Sequence, residues 1–459
     1  MSIAALDGDD RAAPRQPRMS ISLNGRAAAL LWVVLFCGCM VFVYIRWLYP
    51  HYWYMGFPLG TGRSSVLWLA SGLILLSAST LPTQLLRLSD FILWMLFYFV
   101  YAPSMLFVPL QGLLPDNGLA FVCSLTLSFL LMQALTRTRI RLRAVRVDRR
   151  VFVSLLFLAY IALNLYVMSV FAGSLKLAGI AEIYAQRSAA SDLASGSLVG
   201  YASGVLSGAL NPFLMAVGLT ERRKTWLWLG IVGQIFVYAT AAMKSVLMSG
   251  ILAPIFYYFL VRHRNVSGAR LGVLIMASCI APLVLIALLD DTSDTILWQI
   301  VALIFMRTYG MTGALSGMYA DFFTHHPHTW FSHVNVVAAF VHYPYQQSLG
   351  QEVGVYMVGT PLDANANFWA TDGTAAIGNA GIVLMGVIAG AFLILANALI
   401  EFRSRRLAFV AFIPFVMTIS NTSLFTALLS GGGGLLLLMI FLWQARAPQN
   451  SGSGGLGTA

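Results

Sequence analysis

Three basic residues stand in segments where a membrane chain normally has few. Arg187 lies in Glu182-Ile-Tyr-Ala-Gln-Arg, Lys244 follows Thr240-Ala-Ala-Met, and Arg307 closes the apolar run Val301 to Met306. Guanidinium groups fork onto phosphate oxygens and lysine adds a point charge, so three cations on one face suit a pyrophosphate better than a neutral solute. A structural reading stands beside this one, in which each pairs with Asp290, Asp291, Asp294 or Asp321. His333, in Trp330-Phe331-Ser332-His333, is a candidate acid or base because its reference pKa is near neutrality. The stretch from Asn365 to Gly381 holds Asn365, Asn367, Trp369 and Asp372. Amides hydrogen-bond hydroxyls, rings stack on sugar C–H faces, and a carboxylate can take a hydroxyl proton. Asp372 reads equally as an acidic residue complementing a helix N-terminus.

His325-His326-Pro327-His328 resembles a metal tract, with His333 and His342 nearby. No cysteine accompanies it and its spacing fits no zinc pattern, so loop histidines bonded to backbone or sugar are the expectation, with no metal or other cofactor. Cys37, Cys39, Cys123 and Cys279 all fall in apolar runs and read as small core residues.

The elements that position these residues follow from composition. Hydrophobic residues make up 59% of the 459-residue chain and charged residues only 10%, well under the ~25% of soluble domains. The apolar runs approach the ~20 residues that cross ~30 Å of hydrocarbon, and they do not alternate as barrel strands do. The fold class is therefore all-α, a polytopic membrane bundle. Residues 1–26 are expected to be a disordered cytoplasmic tail and 445–459 a Gly/Ser-rich one. Twelve spans are expected, at 27–49, 64–81, 91–110, 118–136, 151–172, 199–219, 225–243, 246–261, 271–289, 378–400, 407–426 and 430–444. The first is read as an uncleaved anchor. Ile296 to Met306 is too short to span and reads as an interfacial or re-entrant helix.

Charge distribution tests this arrangement. With both termini cytoplasmic, 22 of the 28 Lys and Arg residues fall on the inside and six on the outside, at Arg46, Arg63, Lys176, Arg187, Lys244 and Arg307. That split obeys the positive-inside rule. The net charge of +11 therefore reports membrane topology and gives no reason to expect nucleic acid. Snorkelling at a helix end accounts for Arg46 and Arg63. Two outer loops, 173–198 and 290–377, exceed what turns require. The second holds five of the seven histidines and seven of the seventeen acidic residues. The short inner loops carry no P-loop or dinucleotide fingerprint, so chemistry is expected on the outer face. Gly310, Gly313 and Gly317 have the spacing of a close helix–helix contact.

Taken together, the pattern resembles the oligosaccharide repeat unit polymerases of the O-antigen polymerase (Wzy-type) family. The matching features are the many-span bundle, the mid-chain loop with Tyr184 and Arg187, Lys244-Ser245 opening a span, Arg307-Thr-Tyr309-Gly310, and Asp372-Gly-Thr-Ala-Ala-Ile-Gly378-Asn-Ala-Gly381. Ile377 and Asp372 stand where the family more often has Phe and Glu. The resemblance implies a GT-C-like fold, related to those of SEDS proteins and O-antigen ligases, in the bacterial inner membrane with its active face periplasmic. It implies metal-independent transfer of a glycan from undecaprenyl pyrophosphate to a lipid-linked repeat unit, in company with a flippase and a chain-length regulator. Arg187, Lys244 and Arg307 would meet the pyrophosphate, and Asp372 or His333 would deprotonate the acceptor. Tyr184, Tyr309, Asn365, Asn367 and Trp369 would contact the glycan. A secondary transporter and an O-antigen ligase are the competing readings.

Overall fold

The computed structural model describes residues 23–60, 64–114, 116–142, 147–173, 175, 186, 190, 198–241, 244–262, 266–288, 295–359, 364–401 and 404–443. Tyr184, Arg187, Lys176 and Arg63, residues 1–22 of the expected tail at 1–26, the whole expected tail at 445–459, and nearly all of the loop 173–198 lie outside these residues, while residues 23–26 belong to a helix rather than to the tail. Among the described residues every regular element is helical, and the single β-bridge joins Gln84 to Ser267.

Among the described residues eight helices are long and apolar enough to cross a membrane: α1 (Gly25–Met55), α3 (Leu88–Gln111), α4 (Gly118–Leu135), α5 (Arg149–Phe171), α6 (Leu198–Thr220), α9 (Gly268–Leu288), α10 (Ile296–His325) and α13 (Asn379–Ile400). Between them lie α2 (Ser64–Thr80), α7 (Lys224–Ala241), α8 (Lys244–Phe256), α11 (Leu349–Val358) and the short α12 (Trp369–Ile377). The chain closes with α14 (Arg405–Ala411), α15 (Ile413–Ile419), α16 (Leu424–Leu428) and α17 (Gly433–Leu442).

The core sits on α3, whose apolar stretch is wholly buried, whereas α5 buries only 17% of its own. A helix apolar all round belongs inside other helices or against lipid, and the two cases separate here. Wide π-type turns interrupt α1 at Tyr44–Leu48, α3 at Phe97–Tyr101 and α6 at Leu206–Leu210. Pro50, Pro103 and Pro212 each follow two residues later. A proline donates no N–H and its ring crowds the carbonyl four residues back, which widens the preceding turn. Buried polar side chains bond to each other across helices: Ser77 Oγ lies 2.8 Å from Tyr101 Oη, Thr80 Oγ1 donates to Gln133 Oε1 at 2.9 Å, and Gln234 Nε2 donates to Ser249 Oγ at 3.0 Å. Where no water is at hand, such pairing is the alternative to an unsatisfied group.

Contacts gather the basic loops at one end. Leu85 N–H donates to Val266 O, Arg405 Nη1 donates to Leu85 O, and Arg87 Nη1 donates to Thr136 O. Arg149 and Arg223 both pair with Glu221, and Arg149 lies over the Trp443 ring. The opposite end is poor in basic residues. There Gln111 Nε2 donates to Gly56 O, and Thr312 Oγ1 donates to Ser420 O.

Two expectations are corrected. The run Ile296–Met306 does not stop, but continues through a wide turn to His325 as α10. Its second half is too rich in Gly, Ser and Thr to read as a span, yet Gly313 and Gly317 let it lie tightly on α3. Trp298 stacks beside Trp47 and His51, and Ala314 O accepts from Gln111, so both halves of α10 touch the end poor in basic residues. The expected span at 407–426 is broken at Phe412 before Pro414 and again at Asn421 to Ser423, giving α14, α15 and α16.

A Cβ at Gly313 would come within 2.7 Å of the Phe107 ring and 3.0 Å of Pro103 O. Gly313→Leu is expected to cost about 1–3 kcal/mol by overpacking. The check is a thermal melt in detergent, where an unchanged midpoint would show that α10 does not need this close approach to α3.

Candidate active site

α12 and α13 are joined by Gly378, whose φ of +69° with ψ of −143° is a conformation essentially restricted to glycine. The resulting hairpin brings Gly373 against Gly381 with no room for a β-carbon on either. The last carbonyls of α12 are then orphaned, as at any helix end. The chain leaving α10 satisfies them: Thr329 N–H donates to Ala375 O at 2.8 Å and Trp330 N–H to Ala376 O at 3.0 Å. Trp330 and Phe331 both take positive φ, 50° and 65°. Such backbone is rare for bulky residues and costs on the order of 1–3 kcal/mol each. It turns the chain tightly enough for His333 to meet Thr329.

Asp372 lies three residues before Ala375, on the helix that Thr329 and Trp330 cap. His333 Nε2 stands 3.9 Å from Asp372 Oδ1, with side-chain exposures of 9% and 2%. Thr329 Oγ1 donates to Ala375 O at 3.0 Å and lies 2.7 Å from His333 Nδ1. With the hydroxyl proton committed to the carbonyl, the threonine accepts, so Nδ1 carries the ring hydrogen and Nε2 presents its lone pair toward Asp372. Burial pushes the Asp372 carboxyl up to about 7, opposed only in part by the Ser423 hydroxyl and the Leu424 N–H. Burial also pushes His333 down to about 4. Both shifts disfavour the charged form, so this is a neutral histidine beside a carboxyl poised near neutrality, not a fixed ion pair.

His333 Nε2, His328 Nδ1 and Asn367 Oδ1 are buried without a hydrogen-bond partner. A buried polar atom left unpaired costs about 1–3 kcal/mol, and the one on His333 stands beside the Asp372 carboxyl, where a polar atom of a ligand would satisfy it. A hydroxyl oxygen set to one side of this 3.9 Å separation could lie about 2.8 Å from both His333 Nε2 and Asp372 Oδ1.

No family model, curated protein or solved structure matches this chain.

The geometry brings together two of the three residues expected to be catalytic, Asp372 and His333. Arg307 is exposed, and its turn packs against the wide turns of α1 and α3, whereas α12 meets the later half of α10. The geometry does not group Arg307 with the pair, and its role belongs to the proposed function below. Trp369 and Tyr309, expected on the glycan, are 3% and 5% exposed. Trp369 donates to Ser128 Oγ at 3.1 Å, and Tyr309 stacks on Phe99 with ring centres 5.3 Å apart, so both are core residues. Asn365 is exposed and its carbonyl accepts from Asn367 N–H at 2.8 Å. Lys244 opens α8, and its side chain lies outside the described residues, as do Tyr184 and Arg187.

His325 and His326 are occupied locally. His325 Nδ1 lies 3.1 Å from Asp321 O, while His326 stacks on Phe322 with ring centres 4.1 Å apart. Among the described residues no three His, Cys, Asp or Glu side chains converge as a metal site would need. Thr329 and Ser423 were not singled out from the sequence, and His328 stood out only as part of the histidine tract. The only signal was a threonine four residues before a histidine.

A carboxyl raised by the fold gives stability that is fully present below its unfolded pKa of roughly 4 and lost as pH rises through about 7. Thermal midpoints in detergent are expected to fall between pH 5 and pH 8 in the wild type, with Asp372→Asn flattening much of that fall. On the order of 4 kcal/mol is at stake. An identical pH slope in the variant would refute the assignment.

Proposed function

We propose that the protein is an envelope polysaccharide polymerase of the Wzy type in the bacterial inner membrane. It would transfer a growing glycan from undecaprenyl pyrophosphate to a lipid-linked repeat unit. The observation that carries this reading is the buried His333–Asp372 pair, with His333 Nε2 lacking a hydrogen-bond partner, at the end of the membrane bundle that is poor in basic residues. If basic loops mark the cytoplasmic side, that end is periplasmic, where the sugar-lipid substrates of such an enzyme arrive.

In the proposed reaction the acceptor hydroxyl enters the gap between His333 Nε2 and Asp372. As its oxygen bonds to the donor's anomeric carbon, its proton passes to this pair. The bond from that carbon to the pyrophosphate oxygen breaks, and lipid pyrophosphate leaves with the electron pair. Ionised Asp372 is the stronger base here, because burial lowers the proton affinity of His333 while raising that of the carboxyl. The leaving anion requires cations already in place, a role that falls to Arg187 and Lys244, with Arg307 at the rim. The full complement of twelve spans and the GT-C-like relationship belong to this proposal.

A second reading, a proton-coupled transporter, draws support from a buried carboxyl that titrates near neutrality and from the interrupted helices between Arg405 and Leu442. Glycan electrophoresis of a deletion strain separates the two. Polymerase function predicts a product stalled at a single repeat, whereas unchanged chain length with altered solute uptake favours transport. His333→Ala and Asp372→Ala, expressed at wild-type level, are expected to lower polymer yield at least ~100-fold. Asp372 chemistry also predicts that activity rises with pH through about 7. Arg187→Ala and Lys244→Ala should shorten or thin the polymer. Full polymer from both acid–base variants would remove the assignment.

A further inference from the structure

At the basic end a cavity of about 390 Å³ opens among α3, the segment after α4, the last turns of α13, and α14. Arg87, Arg139 and Arg405 line it, with Glu401 the only acidic residue in its wall. Arg87 and Arg405 are each tethered by one hydrogen bond to a backbone carbonyl, Thr136 O at 2.9 Å and Leu85 O at 3.3 Å. Each guanidinium has five donors, so most remain available. Among the described residues none of the three arginines has a carboxylate within ion-pair distance. The nearby Asp90 accepts from the N–H groups of Leu86 and Arg87 at 2.9 Å, and its charge offsets those of Arg87 and Arg405 only in part. Burial and the adjacent Arg406 disfavour the charge on Arg405. Three like charges thus share one cavity, and an anion would relieve them.

The remaining wall is apolar. Ile394, Ala398 and Ile400 come from the end of α13, and Ala408 and Phe409 from α14. Because α13 is of membrane-spanning length, its last turns lie where headgroups meet acyl chains. A freely soluble anion would leave that wall unused. A phosphate with a glycerol and acyl stem would use both halves of the cavity.

We propose that this cavity binds the headgroup of an anionic phospholipid, its phosphodiester held by Arg87, Arg139 and Arg405 and its apolar stem laid along Ile394 and Ala398. The site lies at the opposite end of the bundle from the His333–Asp372 pair and does not depend on the function proposed for that pair. Basic pockets between membrane helices recognise such headgroups.

The test uses the full chain in neutral detergent, titrated with phosphatidylglycerol, phosphatidylcholine or inorganic phosphate, and read by thermal melting and native mass spectrometry. Phosphatidylglycerol is expected to raise the melting midpoint and stay bound in the gas phase, while phosphatidylcholine and inorganic phosphate at equal concentration do neither. Removing each arginine is expected to weaken the apparent affinity about fivefold. Arg87 and Arg405 also brace the backbone, so Arg139→Gln and Arg139→Glu, which sacrifice no backbone bond, provide the decisive variants. Equal phosphatidylglycerol binding by wild type and Arg139→Glu would overturn the proposal. An equal response to inorganic phosphate would overturn the lipid assignment in favour of a free-phosphate site.

Discussion

Two backbone hydrogen bonds, from Thr329 and Trp330 to the last carbonyls of α12, hold the candidate site together. The acceptor residues Ala375 and Ala376 are fully buried, so leaving their carbonyls open would cost about as much as any buried unpaired group. Meeting the carbonyls forces Trp330 and Phe331 into left-handed backbone, and that turn sets His333 over the helix carrying Asp372. A requirement of backbone satisfaction thereby becomes an arrangement of side chains able to do acid–base chemistry. The glycines at 373, 378 and 381 serve the same arrangement, because the hairpin they permit decides where α12 ends.

The electrostatics follow from this enclosure. Desolvation acts in opposite directions on a carboxyl and an imidazole, raising one and lowering the other. A solvent-exposed pair would be charged and mutually satisfied near neutrality. Here the histidine is neutral, Thr329 sets which nitrogen bears hydrogen, and the carboxyl sits near its midpoint, leaving two acceptors facing an unfilled gap.

The two ends of the bundle divide the work of charge. At the basic end arginines are spent on structure, capping carbonyls at Leu85 and Thr136 and pairing with Glu221, and the surplus converges on one cavity. At the other end the buried polar groups are few and uncharged or nearly so, which keeps the cost of enclosing them tolerable. The helix α10 lies across that end, its glycines fitted to α3 and its departing loop feeding the site.

The membrane class, most helix positions and the separation of basic loops from those poor in basic residues were legible in the sequence. They depend on local composition: apolar length, helix-breaking prolines and the placement of arginines do not need long-range contacts to be read. Asp372 and His333 were legible as chemical types, though not as a pair, since 38 intervening positions separate them. Three readings turn on packing that local sequence does not state. Trp369 and Tyr309 look like sugar platforms, yet an aromatic ring is equally suited to a core, and burial chose the core. Arg307 belongs to the same loop as His333 by sequence, but a continuous α10 carries it to the α1–α3 side. Whether residues meet depends on how helices pack and which carbonyls need donors, and those are properties of the folded bundle. The sequence states which groups are available, while their distances, protonation and exposure arise only when the chain encloses them.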